Sequence, residues 1–575
     1  MESAHNVQPD SKAAVNGTAT PYPWLKSYPA NVDWFQKFTP APVPSLLDSA
    51  VARFGGRPAT EFLGRTMTYA ELAAEVNRAA KGLATLGVKK GTRVGLLLPN
   101  CPAFIVYYYA ILKAGGTVVN FNPLYSIPEL TFQAKDAETE IMITLDLKAT
   151  FPKAKALLDQ GILKTVAVVP FRGMLTGLKG TLFRLLRSKD VASWHAGAGV
   201  IPAREIQDND GRFDAPVIDP AGIAVLQYTG GTTGTPKGAM LTHANLSINV
   251  QQCAAWFGDL PVPGEERFFC VIPFFHVFAM TGLMNYAISL AAQMIMLPRF
   301  ELKQALKTID QTKPTFMAGV PTLFNAIATA PDLQKHDLSS LKFCFSGGAP
   351  LPLELKREFE RDSGCKLVEG YGLSETSPVT HVNPPFGPIK DSSIGLPVPG
   401  TIMSLRQLGN PSQEVPLGEK GEICIAGPQV MKGYWKKPEE TAATFTGEFL
   451  RTGDVAYMDS EGFTYIVDRI KDLILCSGFN VYPRRIEEAI YEHPAVQEVT
   501  VIGIPDEYRG EAPKAFVKLR AGHQATAAEI LEFLAPRISK IEIPAEIEFR
   551  DELPKTLIGK LSKKELKAEV QGKAH

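Results

Sequence analysis

The sequence predicts an α/β fold in which a large N-terminal domain precedes a small α+β domain. The chain has 575 residues, more than one hydrophobic core normally organises, so at least two domains are expected. Short β-branched runs alternate with amphipathic helical stretches from about residue 46, which favours parallel or mixed sheets covered by helices. Past residue 421 the strands become hairpin-like, which indicates a small barrel-like antiparallel part before the last domain.

The individual elements of the large domain follow from local patterns. Residues 1–20 are rich in Ser, Asn, Ala and Thr, and we expect a disordered tail because they offer little apolar surface to bury. Thr68 and Glu71 form a capping box, which predicts a helix reaching Gly87. Later apolar runs predict buried strands at 93–98, 140–145, 164–169, 223–228, 293–297 and 343–345.

The C-terminal part has a pattern of its own. The turn residues 459–462 separate the strand-like runs 455–458 and 463–467, which predicts a hairpin. Beyond it, helices are predicted at 484–492 and 527–533, and strands at 499–504 and 515–519. We therefore place the N-terminal domain at 21–467 and the C-terminal domain at 468–575.

Charge and cysteine content exclude several classes of function. Lys plus Arg and Asp plus Glu are equal at 60 each, so the charge balance gives no case for a nucleic-acid partner. The 7 cysteines are scattered without a Cys-x-x-Cys pair, which argues against disulfides or structural zinc and favours a reducing cytoplasm. The apolar run 104–112 is too short to span a bilayer, and the N-terminus lacks the apolar core of a signal peptide.

Residues 228–238 (YTGGTTGTPKG) follow a predicted strand and have the composition of a polyphosphate-binding loop. Glycines let the backbone approach phosphate oxygens, threonine hydroxyls donate hydrogen bonds, and a lysine adds positive charge. The residues proposed to bind are Thr229, Gly230, Gly231, Thr232, Thr233, Gly234 and Lys237. The loop is not a Walker A motif, because Lys237 follows Pro236 and precedes Gly238. Taken alone, it is equally compatible with an ordinary surface loop.

Downstream motifs support the nucleotide interpretation. They are EGYGLSET at 369–376, RTGD at 451–454, DRIKD at 468–472, SGFNVYP at 477–483 and PKTLIGK at 554–560. With the loop, these motifs resemble the adenylate-forming superfamily of acyl-CoA synthetases, luciferases and peptide-synthetase adenylation domains. The resemblance runs from about Val43 to the C-terminus and is strongest to bacterial medium- and long-chain fatty acid CoA ligases. Gly230 stands where many members have Ser, which removes one hydroxyl donor.

The resemblance implies roles for residues that would contact ATP and its metal ion. Glu375 and Thr229 would ligate Mg²⁺, and a carboxylate suits such a hard cation. Tyr371 would stack on adenine, and Gly348 and Ala349 would line its other side, where small residues leave room for a flat ring. Gly372 would also belong to the nucleotide site. The phosphate and ribose contacts would come from Thr376, Asp454, Arg469 and Asn480. Asp454 suits ribose because one carboxylate can accept from both hydroxyls.

The resemblance also implies the residues of the chemical steps. Lys560 would bridge the substrate carboxylate and the α-phosphate, stabilising charge in the transition state. His276, in the aromatic run 273–280, would lie beside the reacting carboxylate and gate an apolar acyl tunnel with 319–323 opposite. Lys471 would be the hinge about which the mobile C-terminal domain rotates. Gly478 would then admit the pantetheine arm of CoA.

These observations predict a ligase that uses ATP, Mg²⁺ and coenzyme A to convert a medium- to long-chain fatty acid through an acyl-adenylate to acyl-CoA. A dicarboxylate (pimeloyl-type) CoA ligase and an adenylating enzyme that loads a carrier protein remain alternatives. A lipid-binding protein with a dead site is disfavoured by the retention of Lys560 and Glu375.

Residues 172–189 place leucines among arginines and lysines and predict a basic amphipathic helix. Two interpretations stay open: a peripheral contact with the membrane surface, and a helix packed on its own domain with its basic face outward. The sequence is also compatible with a homodimer.

Overall fold

The computed structural model describes residues 22–229, 235–477, 479–556 and 559–573. The predicted tail at 1–20, the loop residues Gly230 to Gly234 and Gly478 lie outside the described residues. The α/β class with helix-covered sheets is confirmed.

The helices are distributed along the whole chain. Their bounds are α1 Pro44–Phe54, α2 Tyr69–Thr85, α3 Pro102–Lys113, α4 Ile127–Asp136, α5 Phe151–Asp159, α6 Gly177–Leu186, α7 Ala203–Gln207, α8 His243–Phe257, α9 Val277–Ala279, α10 Tyr286–Ser289, α11 Leu302–Thr312, α12 Pro321–Ala328, α13 Leu353–Ser363, α14 Pro438–Thr444, α15 Pro483–Tyr491, α16 Ala527–Leu534 and α17 Lys563–Lys573. A π-helical segment, Met280–Asn285, joins α9 to α10.

The strands are β1 Pro58–Phe62, β2 Arg65–Thr68, β3 Arg93–Leu97, β4 Thr117–Asn120, β5 Ile141–Leu145, β6 Thr165–Val169, β7 Val200–Pro202, β8 Ile223–Thr229, β9 Lys237–Thr242, β10 Arg267–Cys270, β11 Gln293–Met296, β12 Phe316–Gly319, β13 Phe343–Ser346 and β14 Leu367–Gly372. Those in the rest of the chain are β15 Val379–Val382, β16 Leu396–Pro397, β17 Ile402–Gln407, β18 Asn410–Glu414, β19 Gly421–Ala426, β20 Phe445–Thr446, β21 Phe449–Met458, β22 Thr464–Arg469, β23 Ile474–Cys476, β24 Phe479–Val481, β25 Val496–Asp506, β26 Gly510–Leu519 and β27 Glu546–Phe549.

Two large sheets form the centre of the molecule. In one the strand order is β7-β6-β5-β3-β4-β8-β9, and in the other β16-β15-β14-β13-β12-β10-β11-β1-β2. Pairing inside both is parallel, with antiparallel strands added at the ends, as β9 on β8 and β15 on β14. Parallel pairing places the carboxyl ends of β8, β10, β13 and β14 where ligands bind in open α/β sheets.

Strands β17 to β22 form an antiparallel sheet in which β21 lies between β19 and both β20 and β22. The predicted hairpin is confirmed: β21 and β22 pair from Met458 and Thr464 to Asp454 and Arg469. This register brings Asp454 and Arg469 side by side, so the antiparallel sheet contributes two polar residues to one place.

Residues after 469 build their own sheet and core. Its strand order is β24-β23-β26-β25, with β27 beside β26. Buried clusters there draw only on residues 474–566, whereas the other buried clusters of the described chain lie within residues 24–463. The boundary predicted at residue 468 lies between these two groups of clusters and remains a prediction.

Candidate active site

A cavity of about 520 Å³ lies at the carboxyl ends of the central strands. Its walls come from β8, β9, β13, β14, the β21–β22 pair and a C-terminal turn. The site residues predicted from the sequence that line it are Thr229, Lys237, His276, Gly348, Tyr371, Gly372, Glu375, Arg469, Lys471 and Lys560. The tertiary structure thus gathers residues separated by more than three hundred positions into one cleft.

Other predicted site residues lie elsewhere. Ala349 borders a second cavity of about 160 Å³, which Lys560 also reaches. Asn480 is exposed on β24 and does not border the main cavity. In the predicted acyl wall, Pro321 and Thr322 face the second cavity instead of the first. Gly230, Gly231, Thr232, Thr233, Gly234 and Gly478 lie outside the described residues.

The proposed phosphate loop connects the two strands of a hairpin. Thr229 at the end of β8 pairs with Lys237 at the start of β9, so both residues stand at its base. The Tyr228 hydroxyl donates to Asp136 Oδ2 at 2.5 Å, which ties β8 to the end of α4. Thr229 and Lys237 both border the cavity.

Glu375 lies in a single 3₁₀ turn, Ser374–Thr376, that follows β14. Thr376 is fully buried, and its hydroxyl donates to Pro378 O at 2.6 Å and accepts from Leu373 N at 3.0 Å. The hydroxyl therefore closes the turn that carries Glu375, and Thr376 does not border the cavity where the sequence predicted a phosphate contact.

The side-chain oxygens near Glu375 match the ligands of a magnesium ion whose coordination shell is completed by the substrate. No cluster of three or more His, Cys, Asp or Glu that could hold a metal occurs among the residues described. Mg²⁺ needs no such cluster, because it commonly binds one or two carboxylates together with substrate phosphates and water. Glu375 and Thr229 both carry side-chain oxygens and border the same cavity.

Tyr371, Asp454 and Arg469 are coupled to one another. The Tyr371 hydroxyl donates to Asp454 Oδ2 at 2.6 Å, and Arg469 Nε lies 3.0 Å from Asp454 Oδ1. Asp454 is 3 % exposed, so it stands behind the cavity wall that Tyr371 and Arg469 form. Burial and the Asp454 carboxylate both raise the pKa of Tyr371, which keeps its hydroxyl a donor.

Buried Glu422 binds the chain segment that carries Asp454. Glu422 accepts from Arg451 Nε and Nη2 at 3.0 and 2.9 Å and from Gly453 N at 3.1 Å. These bonds anchor the 451–453 backbone inside β21, immediately before Asp454.

Lys560 reaches the cavity from a tight C-terminal turn. Thr556 N donates to Lys560 O at 2.6 Å, and Lys560 N donates to Thr556 Oγ1 at 3.1 Å. Thr322 Oγ1 donates to Gly559 O, which docks the turn on α12. Burial, and then the nearby Arg469, lower the pKa of Lys560 to about 8, whereas Asp454 acts in the opposite direction.

Two glycines in the site are required by close approach. A Cβ atom at Gly348, whose φ is +82°, would lie 2.7 Å from Lys560 Cε. A Cβ atom at Gly372 would lie 1.9 Å from Pro378 O. Gly348 therefore makes room for the Lys560 side chain, and Gly372 allows β14 to pack against the 377–379 backbone.

His276 is neutral in this environment. Burial and the Lys560 charge lower its pKa to about 3. Its Nδ1 accepts from Phe278 N at 3.3 Å, so the neutral ring carries its proton on Nε2. The neighbouring cavity wall is apolar: the rings of Phe278 and Phe345 lie 5.6 Å apart, and Phe274 is fully buried in the core.

Sequence reasoning missed several residues of this cavity. Tyr434, Glu422 and Phe345 border it, although none belongs to a motif that was singled out. The run 432–435 (KGYW), two aromatic residues after a glycine, is the signal that could have drawn attention to Tyr434.

Comparisons with known proteins agree with this geometry. The model of the AMP-binding enzyme family matches residues 47–435, and the model of the AMP-binding enzyme C-terminal domain matches residues 485–560. A long-chain-fatty-acid–CoA ligase of Bacillus subtilis (strain 168) is 44% identical over 561 residues, which cover 96% of this chain and 99% of that protein.

Solved structures give the same picture. The anthranilate CoA ligase AuaEII, in complex with anthranoyl-AMP, superposes with a TM-score of 0.82 at 26% identity, covering 94% of this chain and 100% of the other. ATP-bound MatB from Rhodopseudomonas palustris superposes with a TM-score of 0.79 at 27% identity, covering 92% and 98%.

Proposed function

This chain belongs to the AMP-binding enzyme family, and on that premise we propose that it is an ATP-dependent long-chain fatty acid CoA ligase. It activates the acid as an acyl-adenylate, releases pyrophosphate, and transfers the acyl group to coenzyme A with release of AMP. The observation that carries the proposal is the convergence of Lys237, Glu375 and Lys560 on one cavity beside an apolar wall.

Adenylation requires a carboxylate oxygen to attack the α-phosphorus while the bond to pyrophosphate breaks. Two anions must therefore approach each other. The Lys560 ammonium, placed between Gly348 and Arg469, neutralises charge at the reacting atoms. His276, neutral with its proton on Nε2, donates to an oxygen there without adding charge.

The nucleotide is held by the remaining wall residues. Tyr371 offers its ring to adenine, Arg469 faces the ribose, and Lys237 binds the leaving phosphates at the base of the hairpin. Asp454, behind this wall, orients Tyr371 and Arg469 through its two carboxylate oxygens. Glu375 and Thr229 would hold Mg²⁺, which supplies charge neutralisation on the phosphates when it is bound.

Transfer to coenzyme A needs a different arrangement, because Lys560 fills the space beside the reacting carbonyl. We assign residues 21–467 and 468–575 to two units, with Lys471 as the hinge between them. The distinct core of residues 474–566 supports this division. Rotation withdraws Lys560, after which the CoA thiol sulfur attacks the acyl carbon, AMP departs, and the thiol proton is released.

The acid is a long-chain monocarboxylate in this proposal. The apolar wall at Val277, Phe278 and Phe345 suits an alkyl chain, and burial of each methylene is worth about 0.8 kcal/mol. The similar ligase from Bacillus subtilis is named for long-chain fatty acids and CoA, which favours this acid over a dicarboxylate and CoA over a carrier protein.

The proposal is tested by measuring pyrophosphate release with acids of increasing length, with and without CoA. We expect ATP- and CoA-dependent AMP formation that is largest for long monocarboxylic acids. A higher kcat/KM for pimelate, or acyl transfer to carrier-bound phosphopantetheine in preference to CoA, would replace the proposal by the corresponding alternative.

We also propose that residues 172–189 contact an anionic membrane surface. Helix α6 packs on its own domain through Phe183, whose ring lies 5.0 Å from that of Phe171. Its outer face nevertheless exposes Leu182, Leu185 and Leu186. Exposed Arg187 and Lys189 follow directly after the helix, and Arg187 Nε lies 2.6 Å from Asp190 Oδ2. Basic residues next to exposed leucines suit an anionic membrane surface. No helix in the described part of the chain is long and apolar enough to cross a membrane.

Liposome sedimentation tests the contact. Exchanging Arg187 and Lys189 for glutamate should weaken binding to anionic vesicles, since each basic residue near such a surface is worth about 1 kcal/mol. Lys335→Glu with Lys540→Glu makes the same charge change on other exposed sites. Equal binding by both double variants would assign the helix to structure alone.

A further inference from the structure

The segment 431–436 lies beside the phosphate hairpin and joins its edge. Met240 N donates to Gly433 O at 2.9 Å, Lys432 N to Met240 O at 3.0 Å, and Trp435 N to Gly238 O at 2.8 Å. Ala239 and Tyr434 form an antiparallel bridge. The segment thus extends the sheet beyond β9, the strand that begins with Lys237.

Contacts at both ends fix this segment in place. Met431 N donates to Glu375 O at 2.7 Å, and Asn245 Nδ2 donates to Val430 O at 2.9 Å. At the other end, Trp435 Nε1 donates to Asp136 O at 3.1 Å, and the Arg93 guanidinium lies 5.9 Å from the Trp435 ring. The side chain at position 434 lies between these anchors, and the backbone on both sides of it is therefore fixed by contacts with other parts of the fold.

That side chain is Tyr434, which touches two of the proposed ATP-binding residues. Its hydroxyl donates to Glu375 Oε1 at 2.8 Å, and Lys237 Nζ lies 5.2 Å from the centre of its ring. Tyr434 is 8 % exposed and borders the cavity.

We propose that Tyr434 is a positioning residue for the nucleotide and its metal ion, acting through Glu375 and Lys237. The Tyr434 hydroxyl fixes the plane of the Glu375 carboxylate. It is hydrogen-bonded to one carboxylate oxygen, and Glu375 borders the cavity. The ring holds the Lys237 ammonium by a cation–π contact at the base of the hairpin. This inference rests on the proposed function, in which Glu375 meets the metal.

A hydrogen bond to a residue that binds a metal ion has a measurable effect on metal affinity. Loss of such a partner typically lowers metal affinity or activity about 10–100-fold, because the ligand then samples other orientations. Tyr434→Phe removes the hydroxyl and keeps the ring. Tyr465→Phe is the matched control, since its hydroxyl donates to Asp459 Oδ2 at 3.1 Å away from the cavity.

Mn²⁺ serves as the probe, titrated into enzyme saturated with an ATP analogue that has a methylene between the α- and β-phosphorus. Free Mn²⁺ is read by electron paramagnetic resonance. We expect Tyr434→Phe to raise the Kd of Mn²⁺ about 10-fold and Tyr465→Phe to leave it unchanged. Analogue binding in EDTA and the thermal melt of Tyr434→Phe should match the wild type, which shows that the variant is folded.

A double-mutant cycle with Glu375→Gln separates positioning from a general structural role. In the Glu375→Gln background, Tyr434→Phe should cause no further loss of Mn²⁺ affinity. Unchanged affinity in Tyr434→Phe, or the same loss in both backgrounds, overturns the inference while the proposed function stands. Wild-type affinity in Glu375→Gln itself overturns both the inference and the metal assignment.

Discussion

The charged side chains of individual residues set the electrostatic character of the cavity. Lys560, Arg469 and Lys237 bring positive charge to one place, and only the Asp454 and Glu375 carboxylates among the proposed site residues oppose it. The excess of cations suits a site that must bind a polyphosphate and a carboxylate together. Burial and the nearby Arg469 lower the pKa of Lys560 to about 8.

Lys560→Ala should abolish adenylation and spare thioester formation. The ammonium is needed only while carboxylate and α-phosphate meet, and loss of one preorganised electrostatic group costs about 2.7–4 kcal/mol. Pyrophosphate release should therefore fall by two to three orders of magnitude. CoA transfer from supplied acyl-adenylate is the companion measurement, and an equal loss in both reactions would contradict the two-arrangement assignment.

The pH dependence of adenylation follows from the same residue. The protonated form of Lys560 is active and its pKa in the free protein is about 8, so kcat/KM for ATP should be level below that pH and fall about tenfold per pH unit above it. His276, with a pKa of about 3, adds no acid limb above pH 5. In Lys560→Arg the alkaline limb should disappear; a wild-type profile that stays level to pH 9.5 would refute the assignment.

Among the helices and strands, local sequence signals predicted which elements exist more accurately than where each element begins and ends. The capping box of Thr68 and Glu71 is present and α2 ends at Thr85, close to the predicted Gly87. Helix α6 begins only at Gly177, because 171–174 forms a 3₁₀ turn and Thr176 is extended. Side-chain periodicity identifies an apolar face, but the backbone conformation of the preceding residues sets where this helix starts.

The short element between β22 and β23 carries the hinge proposal. Lys471 lies in the 3₁₀ turn Ile470–Asp472, and α17 holds this turn through Lys567 Nζ, 2.8 Å from Asp472 Oδ1. Lys471→Pro fixes φ near −65°, so CoA transfer should fall while adenylation continues. Lys471→Gly, which keeps backbone freedom, should retain both half-reactions. Undiminished transfer in Lys471→Pro would place the hinge elsewhere.

In the molecule as a whole, contacts between side chains of the described residues join the C-terminal part to the rest of the chain beside the cavity. Arg520 Nη2 lies 3.1 Å from Glu358 Oε1 of α13, and the Lys560 turn docks on Thr322. Both partners of the ion pair are about one-quarter exposed, so its contribution is within about 0–1 kcal/mol. A weak ion pair of this kind suits the proposed cycle, in which this interface opens between the two half-reactions.

Glu358→Gln should therefore shift the balance between the two arrangements. Adenylation is expected to slow by a few-fold at most, with no loss of CoA transfer, and added salt should reduce the difference. Glu354→Gln removes an ion pair within α13 to Arg357 at 2.8 Å and serves as the control. Equal slowing of adenylation in both variants would show that the Arg520 contact does not stabilise the adenylation arrangement.

The fold class, the family and the type of reaction could be recognised from the amino-acid sequence alone. Caps, β-branched runs and glycine-rich motifs act over a few residues, so they can be recognised without knowing their neighbours in space. The loop, EGYGLSET and the terminal Gly-Lys therefore predicted Lys237, Glu375 and Lys560 correctly as residues of one cavity. Their individual roles, and the division at residue 468, remain predictions.

Only the tertiary structure decided how those residues are held. The Tyr434 hydroxyl on Glu375, the Tyr371–Asp454–Arg469 group and the Glu422 support join residues separated by 15 to 83 positions. It also decided that Thr376 closes a turn instead of facing the cavity. The reason is physical: burial, hydrogen-bond partners and Coulomb interactions depend on distance in space, and no local pattern of the chain records that distance.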